Sequence, residues 1–292
     1  MSHDLSRIAV LGAGTMGRGI AQVAAVAGYT TSLFDVNSSA LESADKRIRK
    51  NLDKGVELGK LAAEVAAAAT GRLSFSSDLS HAVGAADLVI EAVPESMNLK
   101  IEIFQKVARH CPAGAIFASN TSALSITEMA AGTDRPRSFI GMHFFNPVHL
   151  MRLVEVIRGL ETSESAVEMA KAVSHRMGKE TVLVNESPGF VTSRINALIG
   201  NEAFRMLQEG VASAEDIDKA LKLGLNHPMG PFEMVDLVGL DVRLSILEFL
   251  HRTLGEAYRP NNLLVQYVRA GRIGRKAGRG IYDYDDDGNR KR

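Results

Sequence analysis

Short apolar runs alternate with amphipathic stretches over the first two thirds of the chain. Residues 7–11 have the pattern of a buried strand, residues 12–17 that of a glycine-rich turn, residues 16–27 that of a helix with small residues on one face, and residues 31–35 that of a second strand. A strand, a turn, a helix and a second strand in this order are typical of a parallel βαβ unit.

Three further apolar runs, "ADLVIEAV", "AIFASN" and "SFIGMHFFN", are separated by helical segments. Two more, "LMRLVEVIRG" and "ETVLVNES", extend the series. Strands that alternate with helices indicate a doubly wound, mostly parallel sheet. A long helical tract at 39–70, interrupted near 55–59, predicts a helical hairpin inserted into this α/β unit.

The pattern changes near residues 186–188, and the chain from residue 190 onward reads as almost wholly helical. We therefore predict two domains, residues 1–187 with the sheet and residues 188–292 with helices alone. The terminal stretch "DYDDDGNRKR" is most simply interpreted as a solvated tail.

Composition narrows the choice of ligands. Among 292 residues, 34 are Lys or Arg and 34 are Asp or Glu, so no overall charge favours nucleic acid or an anionic membrane. The single cysteine, Cys111, excludes an internal disulfide framework and favours a reducing compartment. No secretory pattern opens the sequence and no apolar run reaches membrane-spanning length, so we expect a cytoplasmic protein without a membrane partner.

The turn "GAGTMG" is the first candidate site. Gly12, Gly14 and Gly17 follow a predicted strand and open a predicted helix, and Asp35 ends the next strand, as the dinucleotide fingerprint requires. The helix start, with Thr15 and Met16, would hold a pyrophosphate on its N–H groups. Asp35 would accept hydrogen bonds from ribose hydroxyls and repel a 2′-phosphate, which favours NAD over NADP. The sheet is thus predicted to be of the Rossmann type, followed by an all-α domain.

The stretch "HFFNPVHLMRLVEV" places His143 and the carboxylate of Glu155 on successive predicted strands joined by a turn. A buried carboxylate is costly unless it is paired, and an adjacent imidazole would pair it and gain a fixed tautomer for base catalysis. The spacing also fits a core histidine and an edge-strand glutamate, so both interpretations stay open. His149 lies in the turn and is expected to be exposed.

The stretch "SNTSALS", Ser119 to Ser125, follows a predicted strand. Ligands collect at the carboxyl ends of strands in an open parallel sheet, so these hydroxyls and this amide could hold a substrate oxygen. They could equally be capping and turn residues. The eight histidines show no metal-binding spacing, and no metal site is predicted.

Several motifs together resemble the L-3-hydroxyacyl-CoA dehydrogenase family, in its short form, over essentially the whole chain and in the right order. They are "VLGAGTMGRGIA", "EAVPE", "SNTSALSITEMA", "GMHFFNPVHLMRLVEV", "SPGFVTSRI", "NHPMGPFEMVDLVGLD" and "GRKAGRGIYDY". The resemblance implies NAD-dependent interconversion of a (3S)-3-hydroxyacyl-CoA, such as 3-hydroxybutyryl-CoA, and the 3-ketoacyl-CoA. It also implies a homodimer formed through the helical domain.

The resemblance assigns roles to residues as well. His143 matches the catalytic base, Glu155 its orienting partner, Ser122 the serine that touches substrate and cofactor, and Asn146 the amide near the nicotinamide. The matching cofactor contacts are Glu95, Lys100 and Lys276. The helical hairpin corresponds to the region over the acyl-CoA, where the basic residues available for CoA phosphates are Lys46, Arg47, Arg49, Lys50 and Lys54.

One position departs from the family pattern. Ser193 stands in "PGFVTSR" where relatives have a substrate-supporting asparagine, and a serine has a shorter reach and one donor instead of two. Two alternative functions also remain open: a dehydrogenase of a sugar acid of the L-gulonate type, and a cofactor-binding relative without turnover.

Overall fold

The computed structural model describes residues 5–291, and these divide by their contacts into two compact units, Met1–Ser187 and Pro188–Arg292. The first unit contains one eight-stranded sheet in the order β3-β2-β1-β4-β5-β6-β7-β8. Its strands are β1 (Arg7–Leu11), β2 (Thr30–Phe34), β3 (Leu73–Ser76), β4 (Leu88–Glu91), β5 (Ile116–Ser119), β6 (Phe139–Phe144), β7 (Leu153–Arg158) and β8 (Glu180–Asn185).

Among the described residues, seven α-helices lie in the first unit and five in the second. The helices of the first unit are α1 (Thr15–Val26), α2 (Ser38–Glu57), α3 (Ala63–Gly71), α4 (Leu79–Val83), α5 (Met97–Ala108), α6 (Ile126–Ala131) and α7 (Glu164–Arg176). Those of the second are α8 (Thr192–Glu209), α9 (Ala214–Gly224), α10 (Pro231–Val238), α11 (Leu240–Leu254) and α12 (Asn262–Arg269). The predicted fold class, a Rossmann-type sheet followed by a helical region, is confirmed.

Strand pairing is parallel throughout this sheet except between β6 and β7, which run antiparallel. The central strands are buried on both faces because helices cover each side, which is why their sequences are apolar without alternation. Alanines at 21, 24 and 25 on α1 let that helix approach the sheet closely.

The strand order changes direction at β1. From β1 the chain first adds β2 and β3 on one side, and then adds β4 and the later strands on the other side. Such a switch point opens a crevice at the carboxyl ends of the strands, where ligands bind in doubly wound folds. The glycine-rich turn follows β1 at this crevice. The carboxyl ends of β4, β5 and β6 continue along the same edge because these strands are parallel to β1.

The second unit corrects two expectations from the sequence. Its C-terminal stretch is irregular instead of helical, with isolated bridges at Gly274, Arg279 and Tyr284. The predicted solvated tail is wrong in part, since Tyr284 is only 4% exposed and its hydroxyl donates to the buried Asp236 carboxylate at 2.9 Å. The many acidic residues of this stretch led to the prediction of a solvated tail, although Tyr284 within it is buried.

The same unit breaks one predicted helix into two. The stretch "GPFEMVDLVGLDVRLSILEFLHRTLG" forms α10 and α11, which meet at Gly239 with φ +108°. A glycine adopts this backbone conformation without steric penalty, and most other residues do not. None of the helices within residues 5–291 is both long and apolar enough to cross a lipid bilayer.

Candidate active site

The glycine-rich turn between β1 and α1 is tightly packed at two of its glycines. A Cβ on Gly12 would lie 2.7 Å from the Ala92 carbonyl oxygen, and a Cβ on Gly17 would lie 1.7 Å from the Gly12 carbonyl oxygen. Gly14 is different, because a Cβ there would meet nothing within 4 Å. The turn therefore brings α1 against the sheet and leaves open space at Gly14, where a ligand's pyrophosphate can approach the backbone.

The first turn of α1 presents donors to this space. Gly14 is the N-cap and provides no side-chain cap, and the first intrahelical bond runs from the Arg18 N–H to the Gly14 carbonyl at 3.1 Å. The N–H groups of Thr15 and Met16 precede that bond and have no helical acceptor. They form, with the helix dipole, a site suited to an anion.

Asp35 follows β2 and is connected to the glycine-rich turn. One carboxylate oxygen accepts from the Ala13 N–H at 2.8 Å, and the other accepts from the Asn37 N–H at 2.9 Å. A carboxylate oxygen has a second lone pair, so each can still accept from a ribose hydroxyl. The fingerprint residues thus lie together with donors and acceptors that fit an NAD molecule.

His143 and Glu155 form a buried pair. They are direct cross-strand partners in the antiparallel β6–β7 pair, and Nδ1 of His143 lies 2.7 Å from a Glu155 carboxylate oxygen. His143 is 6% exposed and Glu155 is 0% exposed. The predicted proximity is confirmed. Because a carboxylate can only accept, the contact fixes a proton on Nδ1 and leaves Nε2 as the atom that can take a proton from a substrate.

The loop after β5 carries Ser122, and Glu95 holds it. The Glu95 carboxylate accepts from the Thr121 hydroxyl at 2.6 Å and from the Ser122 N–H at 3.0 Å. Lys100 lies behind Glu95, at 3.2 Å from it and 2.6 Å from the buried carboxylate of Glu91. The Lys100 ammonium is 1% exposed, so the structure shows it supporting Glu95, and its contact with a cofactor stays a prediction.

Asn146 lies just beyond β6, in an exposed loop, and its bond to Pro147 is cis. Asn120 holds the start of this loop, because its side-chain oxygen accepts from the Phe144 N–H at 2.8 Å. Asn120 therefore joins the end of β5 to the strand end that carries His143. His149, farther along the same loop, is exposed as predicted.

Lys54 lines a cavity of about 460 Å³ in the first unit, beside α1, α2 and the loop after β6. Burial, and then the charge of Lys179, lower the pKa of His149 at its wall, and burial lowers the pKa of Lys179. The other cations of the cavity are Lys60, Arg152 and Arg176. Three of the basic residues expected over the acyl-CoA lie elsewhere, in a shallow groove on α2: Lys46, Arg47 and Lys50.

Two predicted contacts belong to the second unit. Ser193 lies in the first turn of α8, and Lys276 forms an ion pair with Asp241 at 2.7 Å. Their contacts with substrate and cofactor remain predictions. Within residues 5–291, no group of three or more His, Cys, Asp or Glu side chains has the arrangement of a metal site.

The sequence analysis missed Glu91 and Asn120. Glu91 had a visible signal, because it is a carboxylate inside the apolar run "LVIEAV", the same kind of signal that marked Glu155. Asn120 was grouped with its neighbours as a substrate ligand or a turn residue. Its observed role depends on Phe144, 24 residues away, and no local pattern reports that contact.

Known proteins match both units. Residues 7–187 match the 3-hydroxyacyl-CoA dehydrogenase NAD binding domain, and residues 189–284 match the 3-hydroxyacyl-CoA dehydrogenase C-terminal domain. A probable 3-hydroxybutyryl-CoA dehydrogenase from Bacillus subtilis is 50% identical over 284 residues, covering 97% of this chain and 99% of the relative. A 3-hydroxybutyryl-CoA dehydrogenase from Bradyrhizobium diazoefficiens is 44% identical, with 97% of each chain covered.

A solved structure supports the same family assignment. The crystal structure of (S)-3-hydroxybutyryl-CoA dehydrogenase from Ralstonia eutropha superposes with a TM-score of 0.93 at 42% identity, covering 97% of this chain and 100% of that one. The resemblance drawn from the motifs is confirmed. With its NAD-binding fingerprint, its buried histidine–glutamate pair and matches over both units, this chain belongs to the 3-hydroxyacyl-CoA dehydrogenase family.

Proposed function

We propose that this protein interconverts (3S)-3-hydroxybutyryl-CoA and acetoacetyl-CoA with NAD. The observation that carries the proposal is the 2.7 Å contact between His143 and Glu155, buried at the end of β6 on the edge of the sheet where the dinucleotide fingerprint lies. A histidine held by a carboxylate is suited to move the proton of a secondary alcohol. The first relatives named above act on the four-carbon thioester, which supports that choice of substrate.

In the oxidation direction, Nε2 of His143 accepts the proton of the 3-hydroxyl group. Glu155 stabilises the imidazolium that results, because its carboxylate is desolvated and faces Nδ1 directly. A nicotinamide bound beside His143 would supply the acceptor for the hydride that leaves C3. In the reduction direction, the imidazolium returns its proton to the developing alkoxide.

Ser122 and Asn146 hold the substrate oxygen as its charge changes. Ser122 is held through its backbone by Glu95, so its hydroxyl remains available for a ligand, and Asn146 offers an exposed amide in the loop that follows β6. Each can donate to the oxygen as negative charge develops on it. Ser193 is a further candidate substrate contact.

The cavity lined by Lys54 is proposed to receive part of the CoA moiety. Its wall combines apolar surface from α1 and α2 with the cations listed above, and the pantetheine arm and phosphates of CoA have complementary chemistry. Lys54 has Glu57 as an ion-pair partner at 3.0 Å, and both side chains are 63% exposed. Such an exposed pair is weak, so an incoming phosphate can displace the glutamate.

The test is NADH oxidation by the purified protein with acetoacetyl-CoA, repeated with NADPH. We expect turnover with NADH and at least tenfold lower kcat/KM with NADPH, because Asp35 faces the position of a 2′-phosphate. A panel of sugar acids tested with NAD serves as the comparison. Turnover of L-gulonate but of no thioester would favour the sugar-acid alternative, and NADH binding without any turnover would favour the relative that has lost catalysis.

Two further parts of the proposal concern the setting of the enzyme. A cytoplasmic location is proposed because a chain with a single cysteine fits a reducing compartment. A homodimer formed by the second unit is supported by apolar side chains exposed there, among them Leu223 at 76% and Leu225 at 67%.

A further inference from the structure

The loop between β6 and β7 connects His143, Asn146 and Glu155 of the proposed proton-transfer site. It follows His143, contains Asn146 and leads to the strand of Glu155. Its backbone forms a compact turn in which the Pro147 carbonyl accepts from the N–H groups of Leu150 and Met151, each at 3.0 Å. The carbonyls of this turn need donor partners from elsewhere, since the helical pattern does not continue.

Lys179 supplies these partners. Its ammonium donates to the Val148 carbonyl and, at 2.8 Å, to the Met151 carbonyl. The residue is 6% exposed, and among the described residues no carboxylate lies within ion-pair distance of it. A buried cation without a carboxylate is costly to keep, so its hydrogen bonds to the loop are its main compensation.

Backbone hydrogen bonds hold the main chain at Lys179 in place. The Lys179 N–H donates to the Ser174 carbonyl at 3.0 Å, which ends α7, and the Glu180 N–H donates to the Arg152 carbonyl at 2.7 Å, which joins β8 to the start of β7. Lys179 is therefore fixed on both sides before its side chain reaches the loop.

We propose that Lys179 is a positioning residue for the reaction. By holding the Val148 and Met151 carbonyls, it fixes the loop, and with it the place of Asn146 relative to His143. Asn120 holds the other end of the same loop through Phe144. The inference rests on the proposed function, because it assigns Lys179 to the site that performs it.

A different role is conceivable for the same side chain. Lys179 also lines the cavity proposed for CoA, so its charge could serve a phosphate directly. Two of its three N–H donors are already used by carbonyls, which argues for positioning. A substrate without phosphates distinguishes the two roles. Loss of a positioning residue lowers kcat with that substrate as well, whereas loss of a phosphate ligand affects only the substrate that carries phosphates.

The experiment compares Lys179→Met with Lys171→Met. Methionine keeps the aliphatic stem and removes the donors, and Lys171 is a surface residue of α7 whose partner is Glu168 at 2.9 Å. Each variant is assayed with acetoacetyl-CoA and with acetoacetyl-pantetheine, which lacks the nucleotide phosphates. We expect Lys179→Met to lower kcat by about 10- to 100-fold with both thioesters, because small misplacements of a reacting group have effects of this size. Lys171→Met should match the wild type.

Hydrogen exchange provides a readout independent of turnover. In Lys179→Met, the amides of Leu150 and Met151 should exchange faster, while those of β7 and α7 keep their wild-type rates. Lys179→Arg, which retains the donors, should restore slow exchange and part of the lost kcat. If methionine prevents folding, Lys179→Gln takes its place, with an expected loss between those of methionine and arginine.

Three results would overturn the inference. A rise in KM confined to acetoacetyl-CoA would identify Lys179 as a phosphate ligand. Wild-type kcat and unchanged exchange would show that the loop does not need it. A lower melting temperature with unchanged kcat would leave it a structural residue. Wild-type protein that turns over neither thioester would instead contradict the proposed function, and the exchange rates would still report on the loop.

Discussion

Two strand carboxylates in this protein are fully buried, and each has its own cation or imidazole. Glu91 faces Lys100 at 2.6 Å, and Glu155 faces His143 at 2.7 Å. The partner decides the use of the carboxylate, because an imidazole is the side chain that most often acts as a general acid or base in catalysis. Only the second pair can take part in proton transfer, and the first supports the loop of Ser122 through Glu95.

Replacement of His143 by asparagine should remove the base without disturbing the cofactor site. We expect kcat to fall by about 10²- to 10⁴-fold, the usual contribution of a single general acid–base group. NADH affinity, measured by fluorescence titration, should stay within about twofold. His81→Asn, at an exposed position of α4, is the matched control. A His143→Asn enzyme with wild-type kcat would exclude the histidine as the base.

Replacement of Glu155 by glutamine should change the pH dependence as well as the rate. Glutamine no longer stabilises the imidazolium and can impose the wrong tautomer, so kcat should fall by about 10²- to 10⁴-fold. Because the neutral imidazole becomes relatively favoured, the acidic limb of the pH–rate profile for oxidation should move to lower pH. The measurement is kcat for 3-hydroxybutyryl-CoA oxidation from pH 5 to 9, and an unmoved limb would contradict the paired role.

At this scale, sequence reasoning succeeded where spacing along the chain carries the chemistry. Gly12, Gly14, Gly17 and Asp35 are set by the local geometry of one βαβ unit. The contact of His143 with Glu155 depends on strand register, so spacing left two interpretations open. Lys179 gave no signal, because its carbonyl partner at Val148 lies 31 residues away and a backbone acceptor has no sequence signature.

At the scale of elements, the turn between β1 and α1 depends on one close contact. The helix can start at Thr15 only because Gly17 allows the Gly12 carbonyl to lie where a side chain would be. This contact fixes the direction of α1 relative to β1. It therefore also fixes the direction of the N–H groups that are proposed to meet the pyrophosphate.

Gly17→Ala should accordingly damage both stability and cofactor binding. Its methyl group would lie 1.7 Å from the Gly12 carbonyl oxygen, so the backbone must move, at a cost of about 1–3 kcal/mol. NADH affinity should weaken at least tenfold. Gly71→Ala at the exposed end of α3, where a Cβ meets nothing within 4 Å, should change stability by less than about 0.5 kcal/mol. Urea unfolding and NADH titration of both variants test this, and equal behaviour would contradict it.

Element boundaries were predicted less well than element types. The pattern of small and apolar residues indicated α10 and α11 as one helix, because a single glycine inside a helical pattern is often tolerated. Gly239 separates them since its backbone is in a left-handed conformation. The solvated-tail prediction was wrong in part because charges dominate the pattern of residues 283–292, whereas the Tyr284 hydroxyl donates to the buried carboxylate of Asp236. Tyr282, just before this stretch, donates to the buried carboxylate of Asp218 in the same way.

At the scale of the whole molecule, the exposed apolar residues of the second unit support the proposed homodimer. Leu223 and Leu225 lie at the end of α9 and just beyond it, and Leu225 lines a cavity whose wall combines apolar residues of α8 and α9 with Asn201, Glu202 and Arg205. Exposed apolar side chains that cluster usually mark an interface. The net charge of zero adds no long-range repulsion between copies.

Leu225→Glu should therefore convert a dimer into a monomer. A charge placed in an apolar interface has no partner there and strongly disfavours association. Light scattering coupled to size exclusion should give about twice 31.4 kDa for the wild type and 31.4 kDa for the variant. Leu160→Glu, at an equally exposed leucine of the first unit, is the control and should remain dimeric. A monomeric wild type would refute the predicted dimer.

Among the described strands, only β6 and β7 pair in antiparallel fashion, and this pair limits the insertions and deletions that the chain can tolerate. The connection from Phe144 to Leu153 is held by Asn120 at its start and by Lys179 along its turn, so an inserted residue has little room there and would pass into β7. A shift of one residue turns every side chain of a strand to its other face, which would carry Glu155 away from the imidazole. Descendants of this protein should therefore accumulate insertions and deletions near the exposed Gly59, and almost none between β6 and β7, although both connections lie on the surface.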